Sequence, residues 1–122
     1  MARILLVEDD IDVCTVFEQI LLDAEHEVDS SETFRGGSEL IGSRDYDLVI
    51  ADGRLKDGTG AMLADIARNK GVPALIVTGD ATILRHSAAV DFLRYRWLLK
   101  PVRPQTLVEA VAAALRDRAA PH

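Results

Sequence analysis

Ile4-Leu5-Leu6-Val7-Glu8-Asp9-Asp10 joins an unbroken apolar run to three consecutive acidic residues. The run, with Arg3 before it, reads as a buried strand over Arg3–Val7. The carboxylates therefore stand at its C-terminal edge. Two unit charges about 4 Å apart repel by roughly 4 kcal/mol at an effective dielectric of about 20. Such a cluster asks for a cation, either a metal ion or a nearby lysine, and the rest of the chain offers candidates for both.

The frame around that stretch is ordinary. At 122 residues the chain reads as one domain, 1–122, with residues 119–122 as a tail or the start of a linker. That length buries roughly two-thirds of the unfolded surface. With 48% apolar and 28% charged residues, the composition is that of a soluble globular protein. A net charge of -6 argues against a nucleic-acid-binding surface. No segment has the length of a membrane span and the N-terminus lacks a secretory pattern, so the cytoplasm is the expected compartment. The single Cys14 excludes an internal disulfide and reads as a small core hydrophobe, while His26, His86 and His122 are too scattered for a metal triad.

Short apolar runs alternate with amphipathic stretches along the chain. A helix is expected over Ile11–Ala24, with Val13, Val16, Phe17, Ile20 and Leu21 on one face and Asp10 as its N-cap. Further strands are expected over Glu27–Ser30, Leu48–Ala51, Ala74–Val77 and near Tyr95–Leu99. Helices are expected over Phe34–Ser43, Gly60–Asn69 (closed by Gly71-Val72-Pro73), Ala81–Ala89 and Pro104 to about Arg118. Alternation of this kind predicts an α/β fold, a doubly wound parallel sheet of five strands with about five helices. Ligands of such sheets sit beyond the C-terminal strand ends. The residues there are Glu8 and Asp9, then Asp52, then Thr78, then Lys100-Pro101.

At this point the chain resembles the receiver domain of two-component response regulators, over essentially its whole length. The resemblance rests on Leu6-Val7-Glu8-Asp9, on Leu48-Val49-Ile50-Ala51-Asp52 with Leu55, Asp57-Gly58 and Gly60, on Val77-Thr78-Gly79, and on Trp97-Leu98-Leu99-Lys100-Pro101. It implies a flavodoxin-like sheet of order 2-1-3-4-5. It also implies that Asp52 takes a phosphoryl group from a phosphohistidine, a known carboxylate role. Glu8 and Asp9, with Asp52 and the backbone carbonyl of Arg54, would hold Mg²⁺, a hard cation suited to oxygen ligands. Thr78 would hydrogen-bond a phosphoryl oxygen. Lys100 would pair with another oxygen or, before phosphorylation, with Asp52, and the Lys100-Pro101 bond would be cis. The implied partners are a sensor histidine kinase or phosphotransfer protein and a downstream effector. No membrane and no nucleic-acid contact within the chain are implied, and no enzyme activity beyond self-catalysed phosphotransfer and dephosphorylation.

Each residue also has a plain structural reading. The acidic run could be a solvated helix cap, Asp52 a turn residue before Gly53, Thr78 a strand-end hydrogen-bonder and Lys100 a solvated side chain. Four such motifs in order, each at a strand end, favour the functional reading. Trp97 stands where the family carries an aromatic whose rotamer responds to phosphorylation; the alternative is a half-buried indole filling the sheet edge.

Three departures from the family pattern carry expectations. Lys56 replaces a usual proline, so a less rigid loop is expected after Asp52. Leu93-Arg94 replaces a Gly-Ala turn, which predicts a remodelled surface on the helix before the last strand. Arg54 and Asp80 lie two residues beyond Asp52 and Thr78, where the family's side chains tune phosphoryl hydrolysis. Their opposite charges predict a pair across the site that restricts attacking water. The last helix is apolar over much of its circumference (Leu107, Val108, Val111, Ala112, Leu115), which predicts an effector contact or a homodimer through the helix 4–strand 5–helix 5 face.

Other classes fit less well. An aspartate-dependent Mg²⁺ phosphohydrolase would place a second Asp where Arg54 stands. A flavodoxin-like mononucleotide binder would need a glycine- and hydroxyl-rich loop where Glu8-Asp9-Asp10 would repel phosphate. A degenerate receiver, binding partners without phosphorylation, would not need Asp52, Thr78 and Lys100 together.

Overall fold

The computed structural model of the chain describes residues 1–80 and 95–119. The sheet strands are β1 (Arg3–Val7), β2 (Glu27–Ser31), β3 (Leu48–Asp52), β6 (Ala74–Thr78) and β7 (Arg96–Leu99). A short hairpin, β4 (Arg54–Leu55) and β5 (Gly58–Thr59), follows β3. The helices are α1 (Ile11–Asp23), α2 (Phe34–Ser43), α3 (Gly60–Asn69) and α4 (Pro104–Ala119). The five long strands are all parallel, in the order β2-β1-β3-β6-β7, which is the expected 2-1-3-4-5 once the hairpin is set aside. The helix expected over 81–89 and the Leu93-Arg94 departure lie outside the described residues.

The alternation of side chains along β1 builds two layers. Ile4 and Leu6 face one way, into a cluster with Phe17 and Leu21 of α1, Ile50, and Leu107 and Val111 of α4. Leu5 and Val7 face the other way, against Ile41 of α2, Val49, and Leu63 and Ala67 of α3. Burying each of these large side chains contributes about 1.5–3 kcal/mol. A strand covered on both sides has to be apolar throughout, which is why Ile4-Leu5-Leu6-Val7 shows no polar alternation.

Helix starts are set by side-chain caps. Asp10 accepts hydrogen bonds from the backbone N–H of Asp12 and Val13, as expected, and Thr33 and Thr59 do the same for Gly36 and Met62. At the other end, Gly71 takes φ +75 and turns the chain out of α3. One local expectation needs correction. Val16 is 55% exposed, because Phe17 and Leu21 define the buried stripe of α1 and Val16 lies off it. The glycine-rich stretch after Asp52 folds into the β4–β5 hairpin.

The strand registers place the strand ends side by side. Val7 pairs with Ala51, Asp52 with Val77 and Thr78 with Leu99. Glu8, Asp52, Thr78 and Lys100 therefore reach the same edge of the sheet.

Candidate functional site

Glu8 is the unusual member of that edge, a carboxylate only 2% exposed. A buried charge is tolerated when it is paired and hydrogen-bonded. Its Oε1 accepts from the backbone N–H of Asp10 at 3.1 Å and its Oε2 from Lys100 Nζ at 2.8 Å. Lys100 Nζ also lies 3.6 Å from Asp52 Oδ2, so one ammonium serves two carboxylates. Burial pushes the Glu8 carboxyl above its ordinary value, against the opposing hydrogen bond from Lys100. Burial pulls the Lys100 ammonium down, but its hydrogen bond to Glu8 and the charges of Glu8 and Asp52 outweigh this and leave it raised. The proton accordingly stays on the lysine.

The lysine pairs with both carboxylates and lies nearer Glu8 than Asp52. Its backbone explains the approach. Lys100 N–H donates to the Thr78 carbonyl at 2.8 Å, and the Lys100-Pro101 peptide is cis. Thr78 is 1% exposed, and its hydroxyl oxygen accepts from the Asp80 N–H at 3.1 Å. Beyond Gly79, Asp80 meets Arg54 across the site at 3.0 Å, with side chains 33% and 69% exposed.

Glu8, Asp9 and Asp52 each offer a carboxylate oxygen within 4.8 Å of the others. Three hard oxygen donors at that spacing suit a small divalent cation such as Mg²⁺. The floor beneath them is tight. A methyl group built at Gly60 would stand 2.5 Å from the Asp52 carbonyl oxygen, so only glycine permits α3 to start this close to β3. Gly53 N–H donates to the Val77 carbonyl at 2.9 Å and Gly60 N–H to the Gly53 carbonyl at 3.2 Å, which closes the base of the hairpin.

Trp97 is half-buried and packs against Ala64, Ala74 and Ile76. Its indole Nε1 is buried without a hydrogen-bond partner. One contributor escaped the sequence reading. Asp57, quoted there only as part of a motif, accepts from the backbone N–H of Phe34 at 2.8 Å and of Arg35 at 3.0 Å. These two bonds, Arg35's first, hold its carboxyl below the usual carboxylate range. Its partners lie more than 20 residues back in the chain, so Asp57-Gly58 by itself reads only as a turn.

The model of the response regulator receiver domain family matches residues 4–112, and the chain belongs to that family. The probable transcriptional regulatory protein SilR of Salmonella typhimurium is 32% identical over 116 residues, 93% of this chain and 51% of SilR. The transcriptional regulatory protein CusR of Escherichia coli K12 is 31% identical over 120 residues, 97% of this chain and 53% of CusR. This chain thus spans about half the length of each. Among solved structures, the signal receiver domain of an HD domain-containing protein from Pseudomonas fluorescens Pf-5 is 26% identical with a TM-score of 0.85, each chain covered to 96%.

Proposed function

We propose that this receiver domain is a phosphorylation-controlled switch in which Asp52 accepts a phosphoryl group from a phosphohistidine of a sensor histidine kinase or phosphotransfer protein. The convergence of Glu8, Asp9, Asp52 and Lys100 on one strand edge is the observation that carries this reading. A carboxylate oxygen of Asp52 forms the new P–O bond as the P–N bond breaks, and the imidazole leaves with the electron pair. Glu8 and Asp9, with Asp52 and the Arg54 backbone carbonyl, would hold Mg²⁺, which would supply charge neutralisation for the phosphoryl oxygens. Lys100, kept protonated by its surroundings, takes one phosphoryl oxygen as a point charge, and the buried Thr78 hydroxyl donates to another. Transfer of this kind is mostly positioning plus charge neutralisation, so these groups suffice.

Arg54 and Asp80 tune the lifetime of the acyl phosphate in this reading, since their ion pair links the residue two beyond Asp52 to the residue two beyond Thr78. Arg54 also occupies the place where a phosphohydrolase of this geometry would carry a second carboxylate, which supports a switch over a hydrolase. The product is a changed surface for a downstream effector, with Trp97 beside β6 as the reporting aromatic. The reading places the chain in the cytoplasm. Among the described residues no helix is long and apolar enough to cross a membrane.

The test follows Trp97 fluorescence during addition of Mg²⁺ and then a small phosphodonor or beryllofluoride, with intact-mass analysis for the acyl phosphate. A Mg²⁺-dependent fluorescence change and a covalent phosphate, both lost in Asp52→Asn, are expected. Mg²⁺ binding without phosphate uptake from any donor would reduce the chain to a phosphorylation-independent interaction module.

A further inference from the structure

The hairpin after Asp52 carries Arg54, and Lys56 stands in it where the family resemblance leads one to expect a stiffening proline. The structure shows a different source of rigidity. At its base the hairpin is fixed by the Gly53 and Gly60 bonds and by the close approach of Gly60 to Asp52. Its strands pair Arg54 with Thr59 and Leu55 with Gly58. At its tip Asp57 uses both carboxylate oxygens on the first-turn N–H groups of Phe34 and Arg35 in α2, at 2.8 and 3.0 Å. Free first-turn amides attract a carboxylate through both hydrogen bonding and the helix dipole. Gly58 lies so close to α2 that a methyl there would stand 2.6 Å from Phe34 Cγ. Leu55, 8% exposed, joins the core cluster against which Phe34 packs.

We propose that Asp57 is a positioning residue for the metal site: by capping α2 from another element it clamps the β4–β5 hairpin and so holds the Arg54 backbone carbonyl in place as a metal ligand. The proposal rests on the Mg²⁺ reading above and adds to it the device that pre-organises the ligand from the loop. Supporting groups of this kind change metal affinity by about 10–100-fold when removed.

Thr33 provides the control. It caps the same turn of α2 through Gly36 N–H at 2.9 Å, but from the residue that begins the helix rather than from the hairpin. Mg²⁺ affinity is measured by titration calorimetry on the full chain for wild type, Asp57→Ala, Asp57→Asn and Thr33→Ala, with the Arg54 carbonyl ¹³C shift as second readout. Asp57→Ala weakens Mg²⁺ binding about tenfold and shrinks the Arg54 carbonyl shift. Asp57→Asn, which keeps one acceptor oxygen, falls between it and wild type, and also decides the question should Asp57→Ala not fold. Thr33→Ala stays within about twofold of wild type. The loss in Asp57→Ala persists at about 1 M salt, where the Debye length of about 3 Å removes a remote charge effect. Asp57 variants that bind Mg²⁺ like wild type, a Thr33→Ala loss as large as theirs, or a loss abolished by salt would each overturn the proposal. A wild-type chain that binds no Mg²⁺ overturns the underlying metal reading as well.

Discussion

At Gly60 the absence of a side chain is what allows β3 and α3 to meet. A methyl there would stand 2.5 Å from the Asp52 carbonyl oxygen and 3.1 Å from Ile76 Cγ2. The obstacle is backbone, so it cannot rotate away. Gly60→Ala is expected to cost roughly 1–3 kcal/mol in a urea unfolding series, as overpacked sites do, and to slow phosphorylation of Asp52 by displacing it. An alanine variant with wild-type stability and rate would show that β3 yields more easily than the geometry implies. Arg54 makes the second residue-scale case. An exposed ion pair is worth little to stability, typically below about 1 kcal/mol, so in the proposed reading the Arg54–Asp80 contact acts on the acyl phosphate rather than on the fold. Arg54→Ala should shorten the lifetime of the acyl phosphate, followed by loss of the added mass over time, while leaving the unfolding midpoint nearly unchanged. An unchanged lifetime would remove the shielding role.

Elements of this fold are tied together by bonds that no local pattern contains. The turn from α1 into β2 is one of them. His26 Nδ1 accepts from the backbone N–H of Ala2 at 3.1 Å, and an accepting ring nitrogen carries no proton. Burial, and then the N-terminal ammonium, push this imidazole below its ordinary value of 6.5. The unfolded chain therefore binds more protons than the folded one just below that value, and stability rises with pH there. The contribution is fully present above about 6.5 and is lost as pH falls through the folded value. Urea midpoints between about pH 7.5 and pH 5.5 should drop more steeply for wild type than for His26→Asn, which keeps an acceptor but does not titrate. Parallel slopes would show that other groups govern the acid limb. The same scale explains what the sequence made legible among helices. Amphipathic stretches and the Gly71-Val72-Pro73 break placed α2 and α3 at Phe34–Ser43 and Gly60–Asn69 to the residue. They misplaced Val16, because an apolar residue beside the stripe of α1 satisfies the same period without being buried.

Across the whole molecule, α4 buries Leu107, Val111 and Ala114 and leaves Val108 37% exposed, beside an exposed Ala112. Its apolar circumference is thus largely spent on the core. In the reading of β7 and α4 as part of a dimer face, light scattering at high concentration should detect a dimer that beryllofluoride strengthens, and a strict monomer in both states would remove it. The sequence by itself determined the parallel α/β architecture, the order of strands and helices, and the identity of Glu8, Asp9, Asp52, Thr78 and Lys100 as strand-end groups. It did so because a doubly covered strand must be continuously apolar, and because parallel strands end together at one edge. Only the tertiary structure decided that Lys100 sits nearer Glu8 than Asp52 and that Asp57 caps a helix 22 residues upstream. Those contacts join residues from 22 to 92 positions apart. Hydrogen bonds and ion pairs of that span depend on distances that local spacing along a chain does not encode.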